Sequence, residues 1–169
     1  MDDFAKQALE AHNRARAQHN VPPLDWSKEL ELECLKWAKK IAEQTGLQHA
    51  ANLNGIGENI YMTSKGIGNI AAEATKNWYS EIEKYDFNLG RYQRGTGHFT
   101  QVVWKSNTEL GMARVKSPNG NVYIVARYSP GGNDLNKFKD NILPPVRIIC
   151  SVEHFTQISN EPYLFLTPY

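Results

Sequence analysis

A chain of 169 residues that is 41% apolar, with four Trp, eight Tyr and six Phe, carries enough large side chains to offset the entropy of ordering one compact domain, which excludes a disordered chain. A formal net charge of +1 supplies no general field toward polyanions, which argues against nucleic-acid binding. Only Cys34 and Cys150 are present, so there is no disulfide framework or cysteine metal cluster, and a reducing compartment is favoured.

Other absences point the same way. The opening "MDDFAKQ" has no apolar signal region, no Asn-x-Ser/Thr acceptor occurs, and Asp2 excludes N-myristoylation of the chain as written. No apolar run approaches the roughly 20 residues of a membrane-spanning helix. The chain therefore reads as soluble and intracellular, with at most peripheral membrane contact.

In chain order, the first helix begins at Asp2 or Asp3, whose carboxylate caps the free amides, and it repeats Phe4, Ala8, Ala11, His12 and Ala15 on one face. "NVPPLDW" stops it, because two prolines forbid continuation. Ser27 offers a fresh cap for a second helix carrying Leu30, Cys34, Trp37, Ala38 and Ile41, which ends at Gly46. A loop, the apolar piece "NIYM" and the glycine-rich "SKGIGN" follow, and Asn69 caps a third helix. There Ala74, Trp78, Glu81 and Tyr85 share one face at i, i+4, i+7 and i+11.

Beyond the glycine-punctuated "NLGRYQRGTG" come three strand-like runs, "FTQVVW", "LGMARV" and "VYIVARY", the last two joined by the hairpin turn "KSPNG". Helices preceding an antiparallel sheet make the α+β class. "NILPPV" ends the compact unit. Residues 146–169 are too apolar for a disordered tail and are expected to pack on the domain or cover a groove.

Four residues stand out chemically: His49 in a loop, Glu58 in "GENI", Glu81 on an apolar helix face, and His98 at the entrance of a strand. Two imidazoles with two carboxylates suit a divalent metal, the carboxylates orienting ligand histidines or a bound water. Spacing alone does not join them, and each has an ordinary structural role: a surface loop histidine, a carboxylate bracing a turn, a Glu81 paired with Arg127 or Arg91, and a His98 bonded to a backbone carbonyl. Other chemistries lack motifs. There is no G-x-S-x-G elbow, Ser80 and Ser106 have no motif support as nucleophiles, "GIGN" lacks the order of a dinucleotide loop, and Cys34 sits on a buried stripe where a thiol is inert. Lys36, Lys39 and Lys40 form a cationic cluster on helix two, read as its solvated face or as a weaker contact for anionic lipid.

"GHFTQVVWKSN" and "YIVARYSPGGN", with "HNRAR" at residues 12–16 and "GENI" at residues 57–60, resemble the ordered signatures of the CAP superfamily, the cysteine-rich secretory, antigen 5 and pathogenesis-related proteins. "HNVPPL", "WYSEIEKYDF", "GTGHF" and "ILPP" look most like its intracellular branch, the Golgi-associated plant pathogenesis-related proteins. Ala126 stands where secreted members carry a cysteine, which fits a reduced compartment.

The resemblance implies a three-layer α-β-α sandwich with a central, mainly antiparallel sheet over residues 1–145, followed by the apolar extension 146–169. It also implies a cavity lined by His49, Glu58, Glu81 and His98, with His49 and His98 as ligands of a divalent metal, zinc by preference, not obligatory for folding. The function it implies is non-enzymatic binding of lipid, whether sterol, fatty acid or anionic phospholipid, by a homodimerising module. A metal-dependent hydrolase with Glu58 or Glu81 as base is the alternative, as is a protein-interaction module in signalling or host and immune contact. Intracellular placement at the Golgi or another membrane follows, with non-classical secretion as the alternative.

Overall fold

The computed structural model of the protein describes residues 1–64 and 68–146. The first helix, α1, spans Asp3–Gln18, and Asp2 caps it by accepting from the Ala5 amide at 2.8 Å. A two-residue strand, β1 (Asp25–Trp26), precedes α2 (Lys28–Glu43), which Ser27 caps through the Leu30 amide. The helix stops three residues before Gly46. Thr45 takes the left-handed conformation, with φ of 52°, and the Gly46 amide closes on the Ile41 carbonyl.

The "NIYM" piece widens into strand β2 (Gly57–Thr63), and α3 (Ile70–Ser80) is capped by Asn69 through the Ala72 amide. Glu81 lies one residue past α3 and opens a 3₁₀ turn, Glu81–Lys84. The chain then forms α4 (Gly97–Val103), β3 (Glu109–Lys116), β4 (Val122–Ser129) and a short α5 (Phe138–Asn141).

"FTQVVW" is thus helix, not strand. Its β-branched residues suggested extension, but Phe99, Val102 and Val103, at helical spacing, all bury in one core. The end of α4 is held by Arg16, whose guanidinium donates to the carbonyls of Val102 at 3.0 Å and Trp104 at 2.9 Å, as well as to Pro22 at 2.8 Å and Asn107 at 3.2 Å. A cation at a helix C-terminus satisfies orphan carbonyls and complements the helix dipole. Burial lowers the Arg16 pKa only to about 10, so the cap stays charged at neutral pH.

The sheet runs β1-β3-β4-β2, with β1 parallel to β3 and the other pairs antiparallel. Along β4, Val122, Ile124, Ala126 and Tyr128 enter the core shared with α1, α3 and α4, while Tyr123 and Val125 meet Cys34, Ala38 and Ile41 of α2. Helices on both faces give the three-layer α-β-α sandwich. Gly111 permits the approach of α2 to β3, because a Cβ there would run into the backbone of Leu30 and Glu31. The expected extension lies outside the described residues except for Val146, whose amide donates to the Gln18 carbonyl at 2.8 Å. No helix among the described residues is long and apolar enough to cross a membrane.

His12 lies fully buried, with Nδ1 donating to the Ala8 carbonyl at 2.8 Å and Nε2 accepting from the Tyr128 hydroxyl at 2.9 Å. Burial, partly offset by the Ala8 carbonyl and reinforced by the Arg16 charge, pushes its pKa down to about 4. An unfolded histidine takes its proton near 6.5, so the unfolded chain binds more protons between those values and stability falls as pH drops through that window. Urea denaturation should therefore show a loss of up to about 3 kcal/mol from His12 between pH 6.5 and 4. His12→Gln should flatten that slope while leaving the part due to His19, which burial also lowers. An unchanged slope in the variant would contradict the assignment.

Candidate functional site: two carboxylate-backed histidines

β2 is an edge strand, and its alternation sends neighbouring residues into different layers. Glu58 pairs in register with Arg127 and Asn59 with Ala126. Glu58 accordingly sits on the α2 side, and Asn59 on the side of α1, α3 and α4.

The Glu58 side chain has no exposed surface. Its Oε1 accepts from His49 Nδ1 at 3.1 Å and the Ala50 amide at 3.0 Å, and its Oε2 accepts from Arg127 Nε and Nη2, both at 3.1 Å. Burial pushes its pKa up, but the bonds from His49, Ala50 and Arg127 outweigh that and hold it below the usual carboxylate range. The remaining Arg127 nitrogen, Nη1, donates to Glu33 at 3.0 Å.

The second pair is built from the other layer. Glu81 Oε1 accepts from His98 Nδ1 at 2.8 Å, and Oε2 accepts from the amides of His98 at 2.9 Å and Phe99 at 3.2 Å. The turn through Gly95, with φ of 80°, delivers His98 to the first turn of α4. Asn59 donates to the His98 carbonyl and to the Tyr128 hydroxyl, each at 3.1 Å. Asn133, itself left-handed with φ of 61°, donates to the Gly97 carbonyl at 2.9 Å and accepts from Thr100 Oγ1 at 2.6 Å.

His49, Glu58, Glu81 and His98 line one open cavity of about 310 Å³, together with Asn59, Tyr92 and Asn133. An ionised carboxylate only accepts, so each imidazole presents Nδ1–H to its glutamate and keeps its lone pair at Nε2 in the neutral ring. Among the described residues, no group of three or more His, Cys, Asp or Glu is placed to hold a metal. The protein ligands available there are two imidazoles, which leaves positions for solvent or another donor.

Several single-residue alternatives resolve differently. Arg127 pairs with Glu58 and Glu33, not with Glu81. His98 bonds a carboxylate in place of a backbone carbonyl, and its environment is a helix start, not a strand entrance. Sequence reasoning missed Asn59, Tyr92 and Asn133, although Asn59 lies in "GENI" and Asn133 ends "SPGGN". The Cys34 thiol is buried, and its pKa is raised by that burial, in keeping with an inert core position.

The sequence profile of the cysteine-rich secretory protein family, CAP, matches residues 9–128. The human Golgi-associated plant pathogenesis-related protein 1 is 36% identical over 146 residues, covering 84% of this chain and 94% of its own length. A probable pathogenesis-related protein of Candida albicans is 38% identical over 152 residues, covering 87% of this chain but only 44% of its own, longer one. Among solved structures, BmVAL-1 superposes with a TM-score of 0.69 at 23% identity, over 80% of each chain, which speaks to the fold alone. The chain belongs to the CAP family.

The two glutamates should differ in structural weight. Glu58→Ala leaves Arg127, whose side chain is 11% exposed, without its buried partner and should cost about 3–5 kcal/mol in urea denaturation. Glu81→Ala, at a side chain 19% exposed, should cost about 1–2 kcal/mol. Equal losses would show that the Glu58–Arg127 pair is not the anchor.

Proposed function

We propose that this chain is a non-enzymatic CAP binding module that holds a divalent metal ion, zinc by donor preference, between His49 and His98 and takes a lipid in a separate groove. The observation that carries this reading is that both imidazoles are braced at Nδ1 by a carboxylate, the arrangement by which proteins orient histidine ligands. When bound, such an ion would supply an electrophilic centre with open positions.

The same geometry disfavours Glu58 as the base of the hydrolase alternative. A general base needs a free lone pair near the reacting proton. Here Glu58 already accepts four hydrogen bonds, which fill its acceptor positions, whereas Glu81 accepts three and keeps one.

For lipid, α1 and α3 flank a groove of about 280 Å³ with Ala11, Ala15, Ala72 and Tyr79 along it and the cations Arg14 and Lys76 beside them. That lies near the lower end of ligand-pocket volumes, roughly 300–1,000 Å³, and favours one acyl chain with its carboxylate between the cations over a sterol. Peripheral membrane contact and homodimerisation belong to the same reading. The human relative's name places that protein at the Golgi, and for this chain an intracellular membrane surface is the setting we infer.

Calorimetry with zinc should give roughly micromolar affinity in the wild type and at least about a hundredfold loss in His49→Ala/His98→Ala. Fluorescent fatty acid should bind the wild type and that double variant alike, and Ala72→Trp, which plugs the groove, should abolish its binding. Zinc affinity unchanged by removing both histidines would refute the metal site, and fatty-acid binding unaffected by Ala72→Trp would refute the groove.

A further inference from the structure

The lysine cluster of α2 takes no part in the cavity or the lipid groove. Glu33, Lys36, Trp37 and Lys40 occupy one helical face, and with the loop at 52–56 they line a third concavity of about 530 Å³, in which Arg127 also appears. Its floor is ordered, because the Trp37 indole N–H donates to the Gln48 carbonyl at 2.9 Å and Lys40 Nζ stands 4.8 Å from the Trp37 ring centroid. Asn52 and Asn54 supply amides from the opposite wall.

The charges are unbalanced. Arg127 is matched by Glu58 and Glu33, whereas Lys36 and Lys40 make no ion pair among the described residues. Two like charges four residues apart on a helix repel each other, and an anion lying between them would relieve that repulsion.

We infer that this groove is an anion site for a soluble phosphate monoester carried on a small organic body, such as a sugar or nucleoside phosphate. A dianionic phosphate matches two ammonium groups in charge, and its oxygens accept from ammonium and amide donors together. The remaining volume suits a ring set against Trp37. Arg127 joins by exchanging Glu33 for the ligand. Glu33 is the partner it releases, since that side chain is 42% exposed whereas Glu58 has no exposed surface. Its cavity is distinct from the proposed metal and lipid sites, and it meets the metal site only through the Arg127–Glu58 pair and the Gln48 carbonyl beside His49.

The test is calorimetry of the full chain at low salt with adenosine monophosphate, ribose 5-phosphate and adenosine, alongside the indole N–H resonance assigned through Trp37→Phe. Both phosphates should bind with a Kd of about 0.1–1 mM and shift that resonance, adenosine should not bind, and Lys36→Ala/Lys40→Ala should weaken binding at least about tenfold. Both lysines are exposed, so the double variant should keep the wild-type thermal unfolding. Glu33→Gln should tighten binding severalfold, and His98→Ala, whose partner is Glu81, should leave it unchanged. The site is overturned by the absence of saturable binding up to about 10 mM, by affinity indifferent to the two lysines, by loss of binding in His98→Ala, or by a response confined to vesicles containing phosphatidic acid.

Discussion

The carboxylate of Glu58 has no exposed surface, and it accepts hydrogen bonds from a loop, through His49 and the Ala50 amide, and from strand β4 through Arg127. A charge buried this deeply is tolerated only when it is fully paired, so its partners are obligatory. Arg127 carries the constraint further, since its other edge holds Glu33 of α2. The register of β2 against β4 follows from the same pair. A slip by one residue would turn Glu58 toward the layer where Trp78 and Ile124 pack.

From that anchor the cavity assembles across an edge strand. Glu58 fixes His49 from the α2 side, and Glu81 fixes His98 from the other, with Asn59 and Asn133 holding the backbone that bears His98. His98 is therefore positioned by groups from more than one element, whereas the His49 ring is held by Glu58 of β2. Preorganisation of this kind lowers the entropy lost when a ligand is captured. It also leaves the Glu58 carboxylate saturated with four hydrogen bonds, so that group suits holding a ligand histidine better than moving a proton.

Much of this architecture was legible in the sequence. Asp2, Ser27 and Asn69 announced their helices because a short polar side chain at an N-cap has one local job. "KSPNG" gave the β3–β4 hairpin, with Gly120 left-handed at φ of 89°. "FTQVVW" was misread because its helical state depends on distant partners, above all Arg16, which lies 86 residues from the Val102 carbonyl it caps. β1 was invisible at two residues. His49, Glu58, Glu81 and His98 were singled out by residue type and joined only by resemblance to the CAP family. What sequence could not supply was the bracing by Asn59 and Asn133 and the division of Arg127 between two glutamates, since these are contacts across layers.

The central claim is that the two glutamates fix both imidazoles with Nδ1 protonated and Nε2 available. The most direct measurement is a long-range nitrogen–proton NMR correlation of the His49 and His98 side chains in the neutral state, assigned with single His→Gln variants. The account predicts Nδ1–H tautomers at both residues, with the Nε2 resonances the ones that move when zinc is added. Nε2–H tautomers at either histidine, or zinc shifts confined to Nδ1, would contradict it.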